Sequence, residues 1–205
     1  MRGGGERRLD DGMTALELSV SGDIRDRLLA FVELLHKWNR AYNLTAVRDI
    51  ETMVTRHLLD SLAILPWIEG PNLLDVGSGA GLPGMVVAIV RPDIALTSID
   101  SNGKKIRFQR QAAFELGLDN VTPVHDRVEA LKGVTFDQIT SRAFAAPADF
   151  IHLTRTLLAD GGHWLAMTGR VDDLALPDDI RLVNTWALHI PGEQGQRHLL
   201  KMDIA

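Results

Sequence analysis

The segment Leu73-Leu74-Asp75-Val76-Gly77-Ser78-Gly79-Ala80-Gly81-Leu82-Pro83-Gly84 constrains this chain more than any other stretch. An apolar run ends in an acid, passes through a glycine turn and opens a helix. Glycines there let the backbone bend tightly and approach a ligand with no Cβ in the way. Proline near position 83 suits the first turn of a helix. Strand, glycine turn and helix in that order begin a βα unit. In open α/β sheets the crevice at the carboxyl ends of such strands is where ligands bind.

The rest of the chain repeats that texture. Apolar runs predict strands over 72–76, 95–100, 121–125, 136–140 and 163–168. Helical spacing predicts helices over 84–90, 103–116 and 147–158. Strands alternating with helices imply a doubly wound, mostly parallel α/β sheet, Rossmann-like, with helices on both faces. Two late strands, 181–190 and 198–204, have no long helix between them. They are expected to form an antiparallel hairpin at one edge, turning around residues 191–195. Before the first strand, Ile24, Leu28, Phe31, Leu35 and Trp38 recur at helical spacing, with Asp23 as a candidate N-cap. A second helix is expected over 49–65 and ended by Pro66. These helices, within residues 23–70, read as an N-terminal helical cap on a ligand-binding domain over 71–205. Residues 1–22 begin Gly-rich and charged, and read as a disordered tail rather than a signal peptide.

Composition removes several classes. The chain of 205 residues has no cysteine, so disulfides, thiolate zinc sites and a cysteine nucleophile are excluded. No metal-ligand spacing stands out, and no metal is expected. No apolar run reaches the roughly 20 residues of a membrane span. A cytoplasmic protein is expected, with a monomer as the default. The net charge of -5 is unusual for a nucleic-acid binder. Any contact with RNA must then rest on local basic patches.

Residues 79–84 also match Gly-x-Gly-x-x-Gly, so a dinucleotide oxidoreductase is the first rival. Asp75 argues against it, because an acid so near the loop is unfavourable beside a pyrophosphate. The same acid suits a zwitterionic amino-acid tail next to a sulfonium, as in S-adenosylmethionine. Asp100, at the end of the second strand, is placed to accept ribose hydroxyls in either class. No Gly-x-x-x-x-Gly-Lys-Ser/Thr loop is present, which argues against a P-loop nucleotidase.

Several segments together are more specific than the glycine loop. They are Leu35-His36-Lys37-Trp38-Asn39-Arg40-Ala41-Tyr42-Asn43-Leu44-Thr45, Arg56-His57-Leu58-Leu59-Asp60-Ser61, Asp75 to Gly84, Arg127-Val128-Glu129, Ser141-Arg142-Ala143-Phe144 and Arg197-His198-Leu199. On these segments the chain resembles the bacterial 16S ribosomal RNA guanine-N7 methyltransferases, also called glucose-inhibited division protein B. The resemblance runs from about Phe31 to the end. It implies S-adenosylmethionine as cofactor and 16S ribosomal RNA in the small subunit as partner. It implies cofactor contacts at Gly77, Leu82, Asp100, Val128, Glu129 and Arg142, to which the reading of the glycine loop adds Asp75, Gly79 and Gly81. Ribose falls to Asp100 and adenine to Val128 and Glu129. Arg142 faces the cofactor or the target base, and is the candidate catalytic residue. Members of the family commonly carry Lys where this chain has Thr168, before Gly169. This departure removes the cation from that position, and Arg170 is the nearest one in the sequence.

The chemistry read from the residues agrees. Carbon-5 methylation of pyrimidines needs the missing cysteine, and the amine-methylating Asn/Asp-Pro-Pro-aromatic loop is replaced by residues 141–144. Guanine N7 needs neither, since its lone pair is free at neutral pH and alignment is enough. Arginine matches the O6 edge of guanine. The alternative is that Arg142 only pairs with a nearby acid. Lys104, Lys105, Arg107 and Arg110 are either a solvated helix face or phosphate contacts. Arg40, Arg48 and Arg56 are further candidates. Trp38 and Tyr42 are read as core packing before base stacking. His57 and Asp60 are read as structural. A non-catalytic ribosome-assembly module that keeps the cofactor fold is the second rival.

Overall fold

The structure, a computed structural model, describes residues 2–142, 146–171 and 174–205. Seven strands make one sheet: β1 (Asn72–Val76), β2 (Ala95–Asp100), β3 (Val121–His125), β4 (Phe136–Arg142), β5 (Leu158–Thr168), β6 (Ile180–Ala187) and β7 (His198–Ile204). Their order is β3-β2-β1-β4-β5-β7-β6. The first five are parallel, and β7 runs antiparallel between β5 and β6. The doubly wound sheet with an antiparallel edge is therefore as expected, and β6 and β7 form the hairpin.

Strand β1 shows why the sheet is covered on both faces. Leu73 packs into one core cluster and its neighbours Leu74 and Val76 into another. That is the two-residue period of a strand with apolar layers above and below. The chain winds from β1 out to β3, then restarts at β4 on β1's other side. The carboxyl ends of β1 and β4 thus flank a topological switch point, where a crevice must open. Register brings Asp75 level with Ser98 and Thr140, Asp100 level with His125, and Arg142 level with Met167.

The N-terminal helices cover the first face. Residues 2–15, expected within a disordered tail, instead form α1 (Arg2–Ala15). Three consecutive glycines lower its helix propensity, but Leu9 and Met13 are buried. Gly12 lets it approach closely: a Cβ there would meet Leu59 side-chain carbon at 2.3 Å. Arg25 fastens it from the next helix through Asp10 at 2.6 Å. That helix, α2 (Gly22–Tyr42), is capped by Ser21, whose hydroxyl accepts from the Ile24 N–H, rather than by Asp23.

The helix expected over 49–65 is not one regular helix. Asp49 caps α3 (Ile50–Met53), a π-helical turn follows over Val54–Leu59, and α4 (Asp60–Leu62) completes it. Pro66 lies inside a separate 3-10 turn, Leu65–Trp67. Two helices then flank the sheet as expected: α5 (Gly84–Val90) and α6 (Gly103–Leu116). The last, α7 (Pro147–Thr154), ends earlier than predicted in a 3-10 turn, Arg155–Leu157. No helix among the described residues is long and apolar enough to cross a membrane.

Candidate active site

Two cavities open at the carboxyl ends of the strands. The first, of about 270 Å³, is walled by Gly77, Ile99, Asp100, Val128, Glu129 and Leu153. Four of the expected cofactor residues, Gly77, Asp100, Val128 and Glu129, meet here. Gly77, Gly79 and Gly81 all have positive φ, at 64°, 57° and 88°, so the turn requires glycine. Asp100 locks the turn: its Oδ2 accepts the Gly79 N–H at 2.8 Å, and its Oδ1 accepts the Asn102 N–H at 2.8 Å. Each carboxylate oxygen has a further lone pair, and Asp100 lines the cavity. An acid with acceptor capacity to spare, beside apolar Ile99, Val128 and Leu153, fits a ribose and a flat aromatic base.

Other expected contacts sit beneath the turn. Asp75 is fully buried; its Oδ2 accepts the Gly84 N–H at 2.8 Å, and its Oδ1 has no partner. Burial pushes its carboxyl up to about 7, against the Gly84 hydrogen bond and the nearby Arg142 charge. Asp75 therefore holds the start of α5 against β1 and lines neither cavity. Leu82 packs its side chain in the core, so only its backbone remains for a ligand. A Cβ at Gly81 would meet Met85 at 2.3 Å, and one at Gly84 would meet Asp75 at 2.7 Å. These two glycines serve close packing of turn, strand and helix.

Sequence reasoning missed Gln109. On α6 it is fully buried, with Ile106 and Ala112 on the same face. Its Nε2 donates to Ser78 Oγ and to the Gly79 carbonyl, both at 2.8 Å, and its Oε1 accepts from Ser98 Oγ at 2.6 Å. The signal was a lone amide at the centre of an otherwise apolar helix face.

The second cavity, of about 410 Å³, lies at the ends of β4 and β5. Arg142, Ser141, Asp60, His57 and Arg197 line it, with Thr168 and Gly169 at the β5 end. Arg142 Nη1 donates to the Arg56 carbonyl at 2.9 Å and to Asp60 Oδ2 at 3.0 Å. Asp60 also faces Arg197, Nε to Oδ1 at 3.4 Å. The acid pairing foreseen as the alternative for Arg142 thus exists, yet the guanidinium still borders the cavity. The π turn contributes. Asp60 directs its N–H to the Thr55 and His57 carbonyls, not to its regular α-helical partner at Arg56, whose carbonyl meets Arg142.

His57 is nearly buried. Its Nε2 lies 3.0 Å from Thr45 Oγ1, its Nδ1 has no partner, and burial together with the Arg142 charge lowers it to about 4. The structural hydrogen bond expected of it is present. Asn39 clasps the loop that carries Thr45 and Val47: its Oδ1 accepts the Thr45 N–H at 2.9 Å, and its Nδ2 donates to the Val47 carbonyl at 2.8 Å. Arg48 ties to Asn39 and Asn43, and Arg56 pairs with Glu193 at 2.8 Å. Trp38, partly buried, packs against Phe108 and the core as expected, whereas Tyr42, at the end of α2, contacts Trp38 but is 39% exposed and is not the core residue expected. Thr168 Oγ1 turns to the Arg170 backbone, so the cation on that rim is Arg197. Ala143 and Phe144 of the quoted segment lie outside the described residues. Among the described residues no three His, Asp or Glu side chains gather as a metal site.

Residues 24–200 match the family model described as rRNA small subunit methyltransferase G. A ribosomal RNA small subunit methyltransferase G from Chromohalobacter salexigens is 59% identical over 200 residues, covering 96% of each chain. One from Neisseria gonorrhoeae is 50% identical over 199 residues, covering 95% of this chain and 96% of its own. Among solved structures, a SAM dependent methyltransferase from Aquifex aeolicus superposes with a TM-score of 0.53 at 17% identity, over 70% of this chain and 87% of that one. The YcgJ protein from Bacillus subtilis gives 0.54 at 14% identity, over 72% and 98%. Likeness at these identities concerns the fold alone.

Proposed function

The chain belongs to the rRNA small subunit methyltransferase G family, and on that premise we propose that it methylates N7 of a guanine in 16S ribosomal RNA, with S-adenosylmethionine as donor. The chemistry supplied when the cofactor is bound is a methyl group on a positively charged sulfur. In this reading Asp100 accepts the ribose hydroxyls, and Val128 and Glu129 flank the adenine. The backbone of Gly77 to Leu82 borders the amino-acid tail, with Asp75 supporting that turn from below.

The target guanine enters the cavity beside Arg142. N7 attacks the methyl carbon, the N–C bond forms as the S–C bond breaks, and the positive charge passes to the base. No proton is lost, so the protein needs no general base; it aligns the base and excludes water. The observation that carries this reading is the way Arg142 is held. Its Nη1 is occupied by Arg56 and Asp60, while its Nη2 and Nε have no partner among the described residues and remain for the O6 edge of guanine.

The same reading has the chain act as a monomer in the cytoplasm on a folded small subunit. An acidic chain with scattered cations gains little affinity for RNA unless a shaped target brings those cations into use together. The test is transfer of tritiated methyl to small subunits from a strain lacking this protein. Borohydride reduction and aniline cleavage, which cut RNA at N7-methylguanine, then locate the label. Cleavage at one labelled guanine is expected. Label that resists cleavage contradicts N7, and absence of transfer favours a non-catalytic assembly role.

A further inference from the structure

One side of α6 carries an exposed row. Lys104, Arg107 and Arg110 stand three residues apart, and Phe114 follows four later, so all four project from one side of the helix. Phe114 is 83% exposed, more than any other large hydrophobic residue among those described. The opposite side of the helix buries Ile106, Gln109 and Ala112. Phe114 therefore adds nothing to the core.

The cations are unusual for this chain. Several surface arginines elsewhere are neutralised: Arg91 by Asp93, Arg155 by Asp179 and Arg181 by Asp203. None of Lys104, Arg107 and Arg110 enters an ion pair among the described residues; Arg110 makes one long hydrogen bond, 3.4 Å, to the Pro123 carbonyl. The single acid of the helix, Glu115, accepts from Gln111 instead. In a chain of net charge -5, an open row of positive charge is not explained by solubility. The row begins two residues after the Asn102 cap, beside Asp100 and the cofactor cleft. It extends about 15 Å along the helix.

We infer that this face of α6 is an RNA-binding surface: Lys104, Arg107 and Arg110 contact successive phosphates of one strand, and Phe114 stacks on an unpaired base. Positive residues with an aromatic platform are the pairing that grips single-stranded segments. The identity of the RNA, small-subunit ribosomal RNA, rests on the function proposed above.

The test uses the full chain and small subunits that lack the methyl group. Phe114→Ala should raise KM for small subunits about 5- to 50-fold, with kcat and cofactor affinity unchanged, and Phe114→Trp should restore it. The combined Lys104→Ala, Arg107→Ala, Arg110→Ala variant should weaken small-subunit binding. It should also flatten the dependence of binding on log salt by about two, since each phosphate no longer neutralised takes roughly 0.7 from that slope. Wild-type KM and salt slope in these variants would overturn the inference while leaving the methyltransferase reading intact. Binding lost in Phe114→Ala but insensitive to salt and to the cations would assign the face to a protein, also overturning it. Binding that depends on the row in a chain that transfers no methyl would sink the proposed function alone. Failure of the wild-type chain to bind small subunits would sink both.

Discussion

The two cavities are built in opposite ways. The proposed cofactor cleft draws on residues within 76–129 and on Leu153, and backbone N–H groups donated to acids hold its turn. The second cavity, where the target base is proposed to enter, is assembled from residues within 47–60, 141–142, 147–150 and 166–169 and from Arg197, far apart in the chain. Ion pairs and one π turn hold it together. The turn of the first, held by short-range backbone bonds, needs only its own βαβ unit. A site closed by Asp60, Arg142 and Arg197 exists only once the N-terminal helices and the β6–β7 edge have docked. Changes in the first should act on cofactor affinity, and changes in the second on turnover.

Arg142→Ala should break that division most visibly. Removing the guanidinium strips the cavity of its main donor and leaves Asp60 with Arg197 alone. Single-turnover methyl transfer should fall about 100- to 1000-fold, the scale seen when one positioned donor is removed. Cofactor affinity by calorimetry should stay within threefold. A large loss of cofactor affinity would mean that Arg142 belongs to the cleft, and the two sites would be one. Asp100→Ala tests the other half. It deletes the proposed ribose acceptor and the brace on Gly79, and should weaken the cofactor about 10- to 100-fold. Wild-type affinity would remove Asp100 from the site.

Gln109→Leu sharpens the comparison on a smaller scale. It leaves Ser98, Ser78 and the Gly79 carbonyl without their buried partner, which costs about 1–3 kcal/mol of stability. The loosened turn should bind the cofactor about three- to tenfold more weakly, since only part of that energy falls on the bound state. Thermal melting and titration on the same sample read both; a destabilised variant with unchanged affinity would make Gln109 purely structural.

The same contrast explains what was legible in the sequence. Every strand was placed, because apolar runs between turn residues survive as local signals in β1 to β5 and in the hairpin. The first cavity was legible because the glycines and Asp100 lie along one βαβ unit. Even there, Asp75 and the Leu82 side chain, read as ligand contacts, lie buried in the core under the glycine turn, since sequence spacing does not tell which way a buried side chain points. Helix α1 was hidden because its glycines read as disorder, whereas Gly12 is what admits Leu59. The π turn was hidden because 3.6-residue periodicity does not register one extra residue in a turn. The pairing of Asp60 with Arg142 and Arg197 spans most of the chain, and only the fold brings those residues together.

The smallest expected effect is pH dependence of the chemical step. With cofactor and small subunit both saturating, single-turnover rates should vary less than about threefold between pH 6.5 and 9. N7 attacks without losing a proton, and His57, lowered to about 4, stays neutral throughout that window. A neutral His57 serving as base would also give a flat profile, so the discriminating variant is His57→Gln, which keeps a hydrogen bond to Thr45. Its rate should stay within threefold of wild type; a hundredfold loss would make His57 part of the chemistry. Its stability should differ only in acid. A histidine whose folded value lies below its ordinary one contributes stability that is present above about 6.5 and lost as pH falls towards 4, and the variant lacks that limb. Asp75 acts in the opposite sense. Its carboxyl, raised to about 7 by burial, contributes stability below its unfolded value of 3.8 that is lost as pH rises through 7. A cation held near the turn favours the ionised carboxylate. Cofactor affinity should therefore strengthen as pH rises through 7, while the rate at saturation stays flat. Asp75→Asn, which can still accept the Gly84 N–H, should abolish that slope. A slope that persists in Asp75→Asn would belong to another group and would separate Asp75 from the cofactor altogether.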